Sequence, residues 1–285
     1  MSEFIISAFA DEIDSSLEIQ MDVLNKYNIN HIEIRGVNGR NISEYSLGEV
    51  QEIKRRLDER GLSVSAIGSP LGKISITDNF TPHFELFKKM LEMAHILDTR
   101  YIRIFSFYLP GDVSPETHRR EVMSRLEQMV TEAEKKGIIL LHENEKGIYG
   151  DTPERCLDII ETINNSFLRV TFDPANFIQC GVEPYPYCYE ILKKHIEYMH
   201  IKDALIADGS VVPSGYGDGR VRDILIELHK NSFKGFVSLE PHLFHFTGLS
   251  QLERNLKQTG DSQSNGEEKF DIAFRALQEI LNSIK

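Results

Sequence analysis

The feature of this sequence that most constrains its fold is a regular alternation of short apolar runs with longer amphipathic segments. Eight runs rich in β-branched and aromatic residues recur along the chain. Their spacing is roughly thirty to forty residues, the size of one strand, one helix and their loops. The predicted strands are Phe4 to Phe9, His31 to Arg35, Ser63 to Ile67, Tyr101 to Phe107, Ile138 to Glu143, Arg169 to Asp173, Tyr198 to Ile201 and Gly235 to Glu240.

The segments between these runs have the periodicity of helices that cover one face of a sheet. Their apolar residues recur near positions i, i+3, i+4 and i+7, and Gly61 and Gly137 follow two of them as C-cap glycines. The polar segment Lys257 to Glu267 predicts a mobile loop before a final helix that ends near Lys285. The other predicted helices are Ser15 to Asn25, Leu47 to Arg60, Pro82 to Leu97, Pro115 to Lys136 and Thr152 to Asn164.

This alternation predicts an α/β fold with a parallel sheet inside and helices outside. Eight units favour closure of the sheet into a (β/α)8 TIM barrel. No G-x-G-x-x-G motif follows the first strand, where a dinucleotide-binding sheet would carry it. A chain of 285 residues suits one such barrel, so we expect a single domain over residues 1–285.

Composition and charge argue against several classes of partner. The net charge of −12 disfavours nucleic acid, whose binding depends on Lys and Arg contacts to phosphates. No apolar run reaches the about eighteen residues that predict a membrane span, and the N-terminus lacks the basic region of a signal peptide. The three cysteines form no C-x-x-C pair. We therefore expect a cytoplasmic protein with a small-molecule ligand, and the sequence leaves a homo-oligomer open.

Potential metal ligands occupy the ends of four successive predicted strands, at Glu143, Asp173, His200 and Glu240. Reacting groups of a (β/α)8 barrel come from the C-terminal ends of its strands, so these side chains are expected to meet. A carboxylate that points into the barrel is costly unless it is paired or binds a cation. The ligand set is mostly oxygen, which favours Mn²⁺ as the single divalent ion, with Mg²⁺, Co²⁺ and Zn²⁺ also compatible.

The strand ends also carry a family resemblance. The matching segments are Ser7 to Glu12, Ile32 to Gly36, Arg103 to Ser106, Glu143-Asn144, Gly150 to Pro153, Phe172 to Asn176, Met199 to Asp203 and Val237 to Pro241. In these, the chain resembles the xylose isomerase-like TIM-barrel superfamily of sugar phosphate isomerases and epimerases, which includes endonuclease IV and inosose dehydratase. The resemblance implies that Glu143, Asp173, His200 and Glu240 bind the metal. It also implies that Glu143 and Glu240 move the proton, through a metal-stabilised enediolate.

Some positions differ from the pattern of the ketose 3-epimerases in this superfamily. Those enzymes commonly have His where this chain has Asn176 and Glu145, and an Arg shortly after the seventh strand, where Ala204 to Asp208 contains none. The additional histidines of endonuclease IV are also missing, since the corresponding segment reads Ser210 to Gly215. The resemblance therefore implies a reaction class and leaves the substrate open.

Further polar residues near the strand ends are candidates for substrate binding. Lys73 follows the third strand and would contact a sugar hydroxyl or phosphate, or else remain a solvated loop lysine. Arg103 would contact substrate or pair with Glu33 or Glu143. Lys202 and Asp203 follow His200, so one of them is expected to contact the substrate or orient the imidazole. The candidate set is Glu33, Lys73, Arg103, Asn176, Lys202, Asp203 and His242.

The first functional hypothesis is a divalent-metal-dependent isomerase or epimerase of a sugar, cyclitol or related polyhydroxy carbonyl compound. Two alternatives use the same residues. One is an inosose-type dehydratase, in which the same metal and bases expel water. The other is a catalytically silent sugar-binding barrel, which the departures at Asn176 and Glu145 keep open.

Overall fold

The computed structural model describes residues 3–111, 113–243 and 265–284. In these ranges eight parallel strands close into a barrel, each pairing with its neighbours along the chain and the last with the first. This confirms the predicted (β/α)8 fold. The strands are β1 (Glu3–Ala8), β2 (His31–Ile34), β3 (Ser63–Gly68), β4 (Tyr101–Ile104), β5 (Ile139–Glu143), β6 (Leu168–Phe172), β7 (Ile196–Ile201) and β8 (Lys234–Leu239).

Helices follow the strands, and short polar residues begin several of them. Ser46 accepts a hydrogen bond from the Glu49 backbone and Asn79 from that of Thr81, which satisfies amides that the first helical turn leaves unpaired. The helices are α1 (Leu17–Lys26), α2 (Leu47–Glu59), α3 (Phe80–Ile96), α4 (Arg119–Lys135), α5 (Pro153–Ile163), α6 (Pro174–Gln179), α7 (Tyr189–Leu192), α8 (Val221–Lys230) and α9 (Gly266–Ile284).

The structure corrects three predicted boundaries. The predicted helix from Pro115 to Lys136 is divided, with a 3-10 turn at Pro115–Thr117 before α4. The fourth strand ends at Ile104 because Phe105 donates to the carbonyl of Leu71, in the loop after β3, instead of to a neighbouring strand. The predicted loop from Lys257 to Glu267 lies outside the described residues up to 264, and its last two residues already belong to α9.

The apolar core has two parts. The larger part packs between the strands and the surrounding helices, whereas a smaller cluster of Ala66, Ile139, Leu141 and Tyr198 joins side chains of β3, β5 and β7. Side chains alternate along a strand, so Glu143 points to the same side of β5 as Leu141, nearer the C-terminal end. This end of the barrel therefore holds the charged groups. None of the helices in the described ranges has the length and apolar character needed to cross a membrane.

Candidate metal centre and barrel mouth

The four predicted ligands converge at the C-terminal end of the barrel. One ligand atom from each of Glu143, Asp173, His200 and Glu240 lies within 4.8 Å of the others, and all four residues are buried. Bonds from carboxylate or imidazole to a divalent ion are about 2.1 Å long, so ligands on opposite sides of one ion lie about 4.2 Å apart. The spacing and the oxygen-rich donor set therefore fit one divalent cation.

Local structure holds Glu143 and Asp173 beside each other. Asp173 follows β6 and caps α6, where its Oδ1 accepts from the backbone of Asn176 at 2.9 Å. Asn144, which follows Glu143, exchanges two hydrogen bonds with the Asp173 backbone, at 2.9 and 3.0 Å. The ends of β5 and β6 are thus fastened together, which limits the freedom of both carboxylates.

His200 lies at the centre of the cluster, with carboxylates on both sides of its ring. Its Nδ1 is 3.0 Å from Glu143 Oε1 and 3.1 Å from Glu240 Oε2, while its Nε2 is 3.3 Å from Glu33 Oε1. Burial alone would lower the pKa of His200, but the charges of Glu143, Glu33 and Glu240 outweigh it and raise the pKa well above its usual value. The imidazole therefore carries a proton that a metal ion would displace.

Two arginines reach carboxylates of the cluster, Arg35 from just after β2 and Arg103 from β4. Arg103 Nη1 lies 3.0 Å from Glu143 Oε2 and 3.7 Å from Glu240 Oε1, so its partner is Glu143 and not Glu33. Arg35 Nη1 lies 3.0 Å from Glu240 Oε1, and its other nitrogens bind Asp11 and Glu12. Arg103 thus links the two glutamates for which the family resemblance implies proton transfer.

The pKa values of the carboxylates in the cluster are shifted in opposite directions. Burial opposes ionisation of Glu143, but His200 and Arg103 outweigh it and hold the pKa at about 2. Burial likewise opposes ionisation of Glu240, whose pKa Lys202 and His200 hold well below the usual value. At Asp173 burial dominates and raises the pKa to about 7. Both glutamates are therefore ionised at neutral pH, and Asp173 is the most easily protonated of these three carboxylates.

The ion pairs of this buried network contain more acidic than basic groups. Six carboxylates contact three Lys or Arg side chains and the two histidines His200 and His242. The acidic members are Asp11, Glu12, Glu33, Glu143, Asp173 and Glu240, and the permanently basic ones are Arg35, Arg103 and Lys202. Buried charge is costly unless it is compensated, so a divalent cation suits the excess of negative charge.

A pocket at the barrel mouth contains most of the predicted substrate-binding residues. Glu33 and Asp203 are the exceptions, since Glu33 lies deeper, behind His200, and the Asp203 carboxylate binds backbone amides of a loop. Asn176 Nδ2 donates to Glu143 Oε1 at 3.1 Å and to the carbonyl of Asn144, while Lys202 Nζ lies 2.9 Å from Asp173 and 3.4 Å from Glu240. The pocket is lined by Lys73, Arg103, Glu143, Glu145, Asn176, Gln179, Lys202, Glu240 and His242.

Asp203 differs from the other candidates because its carboxylate points into a loop. It accepts hydrogen bonds from the backbones of Ala204, Gly215, Gly217 and Gly219, at 2.8 to 3.2 Å. A Cβ at Gly217 would lie 2.3 Å from Asp203 Oδ1, so the loop needs glycine there. Asp203 thus organises the glycine-rich loop, and among the described contacts the carboxylate near His200 Nε2 is that of Glu33.

Besides Asp11 and Glu12, three residues of this region are not among the predicted site residues. Arg35 belongs to a segment that carries the family resemblance and has no predicted site role, although it lies two positions after Glu33, just past the end of β2. Glu145 is a position where this chain departs from the epimerase pattern. Gln179, at the end of α6, lines the pocket but carries no sequence signal of its own. Alternation along a strand was the available signal for Arg35.

Several solved structures share this fold. An L-ribulose 3-epimerase matches with a TM-score of 0.75 at 14% identity, over 100% of this chain and 96% of that one. A crystal structure of the IolI protein with a zinc atom matches with a TM-score of 0.74 at 17% identity, over 99% of both chains. At such low identities these similarities show the fold alone.

Sequence comparison places the fold in a family. A curated relative from an Actinoplanes strain, 2-epi-5-epi-valiolone 7-phosphate 2-epimerase, is 24% identical over 191 residues, which is 67% of this chain and 68% of the relative. The profile of the family described as xylose isomerase-like TIM barrel matches residues 21–262. The chain therefore belongs to the xylose isomerase-like TIM barrel family.

Proposed function

We propose that this protein is a divalent-metal-dependent isomerase or epimerase of a sugar or related polyhydroxy carbonyl compound. The observation that carries the proposal is the placement of Glu143 and Glu240. Both line the same pocket and lie within 3.1 Å of His200 Nδ1, and they come from non-adjacent strand ends. Two carboxylates that border one substrate from different sides can remove a proton from carbon and return it.

The other groups of the site suit this chemistry. Glu143, Asp173, His200 and Glu240 would hold the ion, which would supply electrophilic stabilisation of the charge that develops on the substrate carbonyl oxygen. Glu143 and Glu240 are ionised, so either can accept the proton next to that carbonyl. Arg103 contacts both glutamates and would keep their oxygens oriented while their charges change.

The remaining side chains of the pocket would position the substrate. Lys202 offers an ammonium donor beside Asp173 and Glu240, and Asn176 offers an amide beside Glu143. The hard oxygen donors support Mn²⁺ as the resident ion, while the single imidazole and the zinc atom in the IolI structure keep Mg²⁺, Co²⁺ and Zn²⁺ as alternatives.

We also propose that residues 1–285 form one domain that acts in the cytoplasm on small molecules and does not bind nucleic acid. Cys156, Cys180 and Cys188 are all free thiols, which supports a reducing compartment. The net charge of −12 opposes binding of a polyphosphate backbone.

Solvent-deuterium incorporation tests the proposed reaction. Manganese-loaded protein would be incubated in D₂O with a panel of ketoses and inososes, followed by NMR and mass spectrometry. We expect exchange at the carbon next to the carbonyl without loss of water. Loss of water would instead identify a dehydratase, and no exchange with any compound would contradict the proposal and favour a sugar-binding barrel.

Two variants and one treatment sharpen this test. Glu143→Gln should abolish exchange, whereas Glu190→Gln should not, because Glu190 pairs with Lys193 on the exposed surface of α7. Removal of the metal with a chelator should also abolish exchange, and Mn²⁺ should restore it. Full activity of the chelated protein would exclude the metal-dependent mechanism.

A further inference from the structure

A second charged pair lies at the mouth of the barrel, outside the metal cluster. Lys73 Nζ, in the loop after β3, lies 3.0 Å from Glu145 Oε2, just beyond the end of β5. Both side chains line the pocket and are largely shielded, with 8% and 16% exposure. The pair therefore forms part of the wall that a substrate held at Glu143 and Glu240 would touch.

The loop that carries Lys73 is held firmly in place. Gly72 adopts φ +87° and donates its N–H to Nε2 of the buried His83 at 2.8 Å. A Cβ at Gly72 would lie 2.0 Å from the Phe105 carbonyl oxygen, so no other residue fits this turn without movement. Lys73 Nζ lies 4.4 Å from the centre of the Phe105 ring. The ammonium is thus fixed at the rim by its backbone and by an aromatic face.

The carboxylate of Glu145 offsets the positive charge of the Lys73 ammonium. The other cations that line the pocket are also opposed by carboxylates: Arg103 by Glu143, and Lys202 by Asp173. An anionic substituent would have to displace Glu145, or else lie beside it in a shielded setting where like charges repel strongly.

A hydroxyl group, unlike an anion, can form favourable hydrogen bonds with both Lys73 and Glu145. Each sugar hydroxyl both donates and accepts a hydrogen bond. Glu145 accepts and Lys73 donates, and the side-chain amide of Gln179 in the same pocket can do both. Asn176 Nδ2 donates to Glu143 and Asn144, and its amide oxygen can accept. The described part of the pocket therefore matches a row of uncharged hydroxyl groups better than it matches a phosphate.

We propose that Glu145 is a specificity-determining residue, and that its pairing with Lys73 makes the mouth select uncharged polyhydroxy substrates over their phosphate esters. This inference rests on the proposed function, because it concerns the substrate of the same site. It assigns Glu145 a role in discrimination and leaves the proton transfer to Glu143 and Glu240.

Binding of inorganic phosphate to the manganese-loaded protein tests the charge argument without any turnover. Isothermal titration calorimetry would compare the wild type, Glu145→Gln, and the double variant Glu145→Gln with Lys73→Met. Removal of the negative charge beside Lys73 should raise phosphate affinity about tenfold in Glu145→Gln, because phosphate then no longer competes with that carboxylate and hydrogen bonds to charged groups are the strong ones. The double variant should lose that gain, which would show that the added affinity comes from Lys73. Phosphate bound by the metal contributes equally to all three proteins and does not affect the comparison.

Glu190→Gln is the matched control, since Glu190 forms a Lys–Glu pair at 2.7 Å with Lys193 on the protein exterior. It should leave phosphate affinity unchanged. Thermal unfolding of every variant would show that each is folded. An affinity for phosphate that is the same in Glu145→Gln as in the wild type would overturn the proposal.

A second experiment measures turnover. The deuterium-exchange assay would compare D-fructose and D-tagatose with their 6-phosphates. Wild type should have a higher kcat/KM for the uncharged sugars, and Glu145→Gln should reduce that ratio. A wild-type preference for the phosphate esters would contradict this inference and leave the proposed reaction standing. Absence of exchange on every compound would count against the proposed reaction, while the phosphate titration would still decide the role of Glu145.

Discussion

Nε2 of His200 lies 3.3 Å from Oε1 of Glu33, on the opposite side of the ring from Glu143 and Glu240. A carboxylate in this position orients a ligating imidazole and increases its basicity. We therefore expect Glu33→Gln to weaken Mn²⁺ binding about 10- to 100-fold in calorimetric titrations. Glu197→Gln is the control, because Glu197 bonds Tyr101 away from the cluster. Equal metal affinity in Glu33→Gln and wild type would show that Glu33 does not act through His200.

Glu240 has a structural role as well as its proposed chemical one. Its carboxylate lies 3.0 Å from Arg35, 3.4 Å from Lys202 and 3.7 Å from Arg103, and the residue is 2% exposed. Loss of its charge leaves these buried cations partly uncompensated, so we expect Glu240→Gln to abolish exchange and to lower the free energy of unfolding by about 3 kcal/mol.

Urea denaturation of the metal-stripped protein measures the stability effect of Glu240→Gln separately from metal binding. Glu52→Gln serves as its control, because Glu52 pairs with Arg55 on the exposed surface of α2. That variant should unfold as the wild type does. A Glu240→Gln protein as stable as the wild type would mean that Arg35 and Arg103 are sufficiently compensated by other groups.

The sequence predicted the four-residue cluster because each member lies at or next to the end of a strand. Strand order and alternation alone place all four at one end of the barrel, without knowledge of side-chain rotamers. The four are Glu143, Asp173, His200 and Glu240. The same rules predicted the closed barrel. Its strand ends were less accurate, since β4 stops where Phe105 bonds to the loop after β3.

Residues in the loops were harder to predict, because their partners depend on how each loop folds back. Asp203 follows His200 closely in sequence, yet Asp203–Ala204 pairs with Val211–Val212 and the carboxylate binds the amides of the glycine loop. The Lys73–Glu145 pair joins residues 72 positions apart in two different loops. No periodic pattern links such positions, so their contact required the three-dimensional structure.

Asp203→Asn separates a role in loop structure from a role in substrate binding. An amide replaces one acceptor oxygen with a donor that faces backbone N–H groups, which should cost about 1–3 kcal/mol of local stability. Hydrogen–deuterium exchange mass spectrometry should therefore show faster amide exchange at Gly215, Gly217 and Gly219, which donate to Asp203. Unchanged amide exchange together with a raised KM would instead support direct contact with substrate.

His83 should make the stability of the loop around Lys73 depend on pH. Burial, assisted by the charge of Arg125, lowers the pKa of His83 to about 4, from an ordinary value of 6.5. Between these values the unfolded chain binds more protons than the native one, so stability falls as pH drops through this window and is fully present above it. The cost at pH 4 is about 3 kcal/mol at most. Protonation also removes the Nε2 lone pair that accepts from Gly72.

His83→Gln tests this prediction, because glutamine can accept a similar hydrogen bond and does not titrate. Thermal unfolding of the metal-stripped proteins between pH 4 and 7 should show a smaller loss of Tm on acidification in the variant than in the wild type. Other groups titrate in the same interval, so the difference between the two profiles is the informative quantity. Parallel profiles would show that His83 is not the group that loosens the loop in acid.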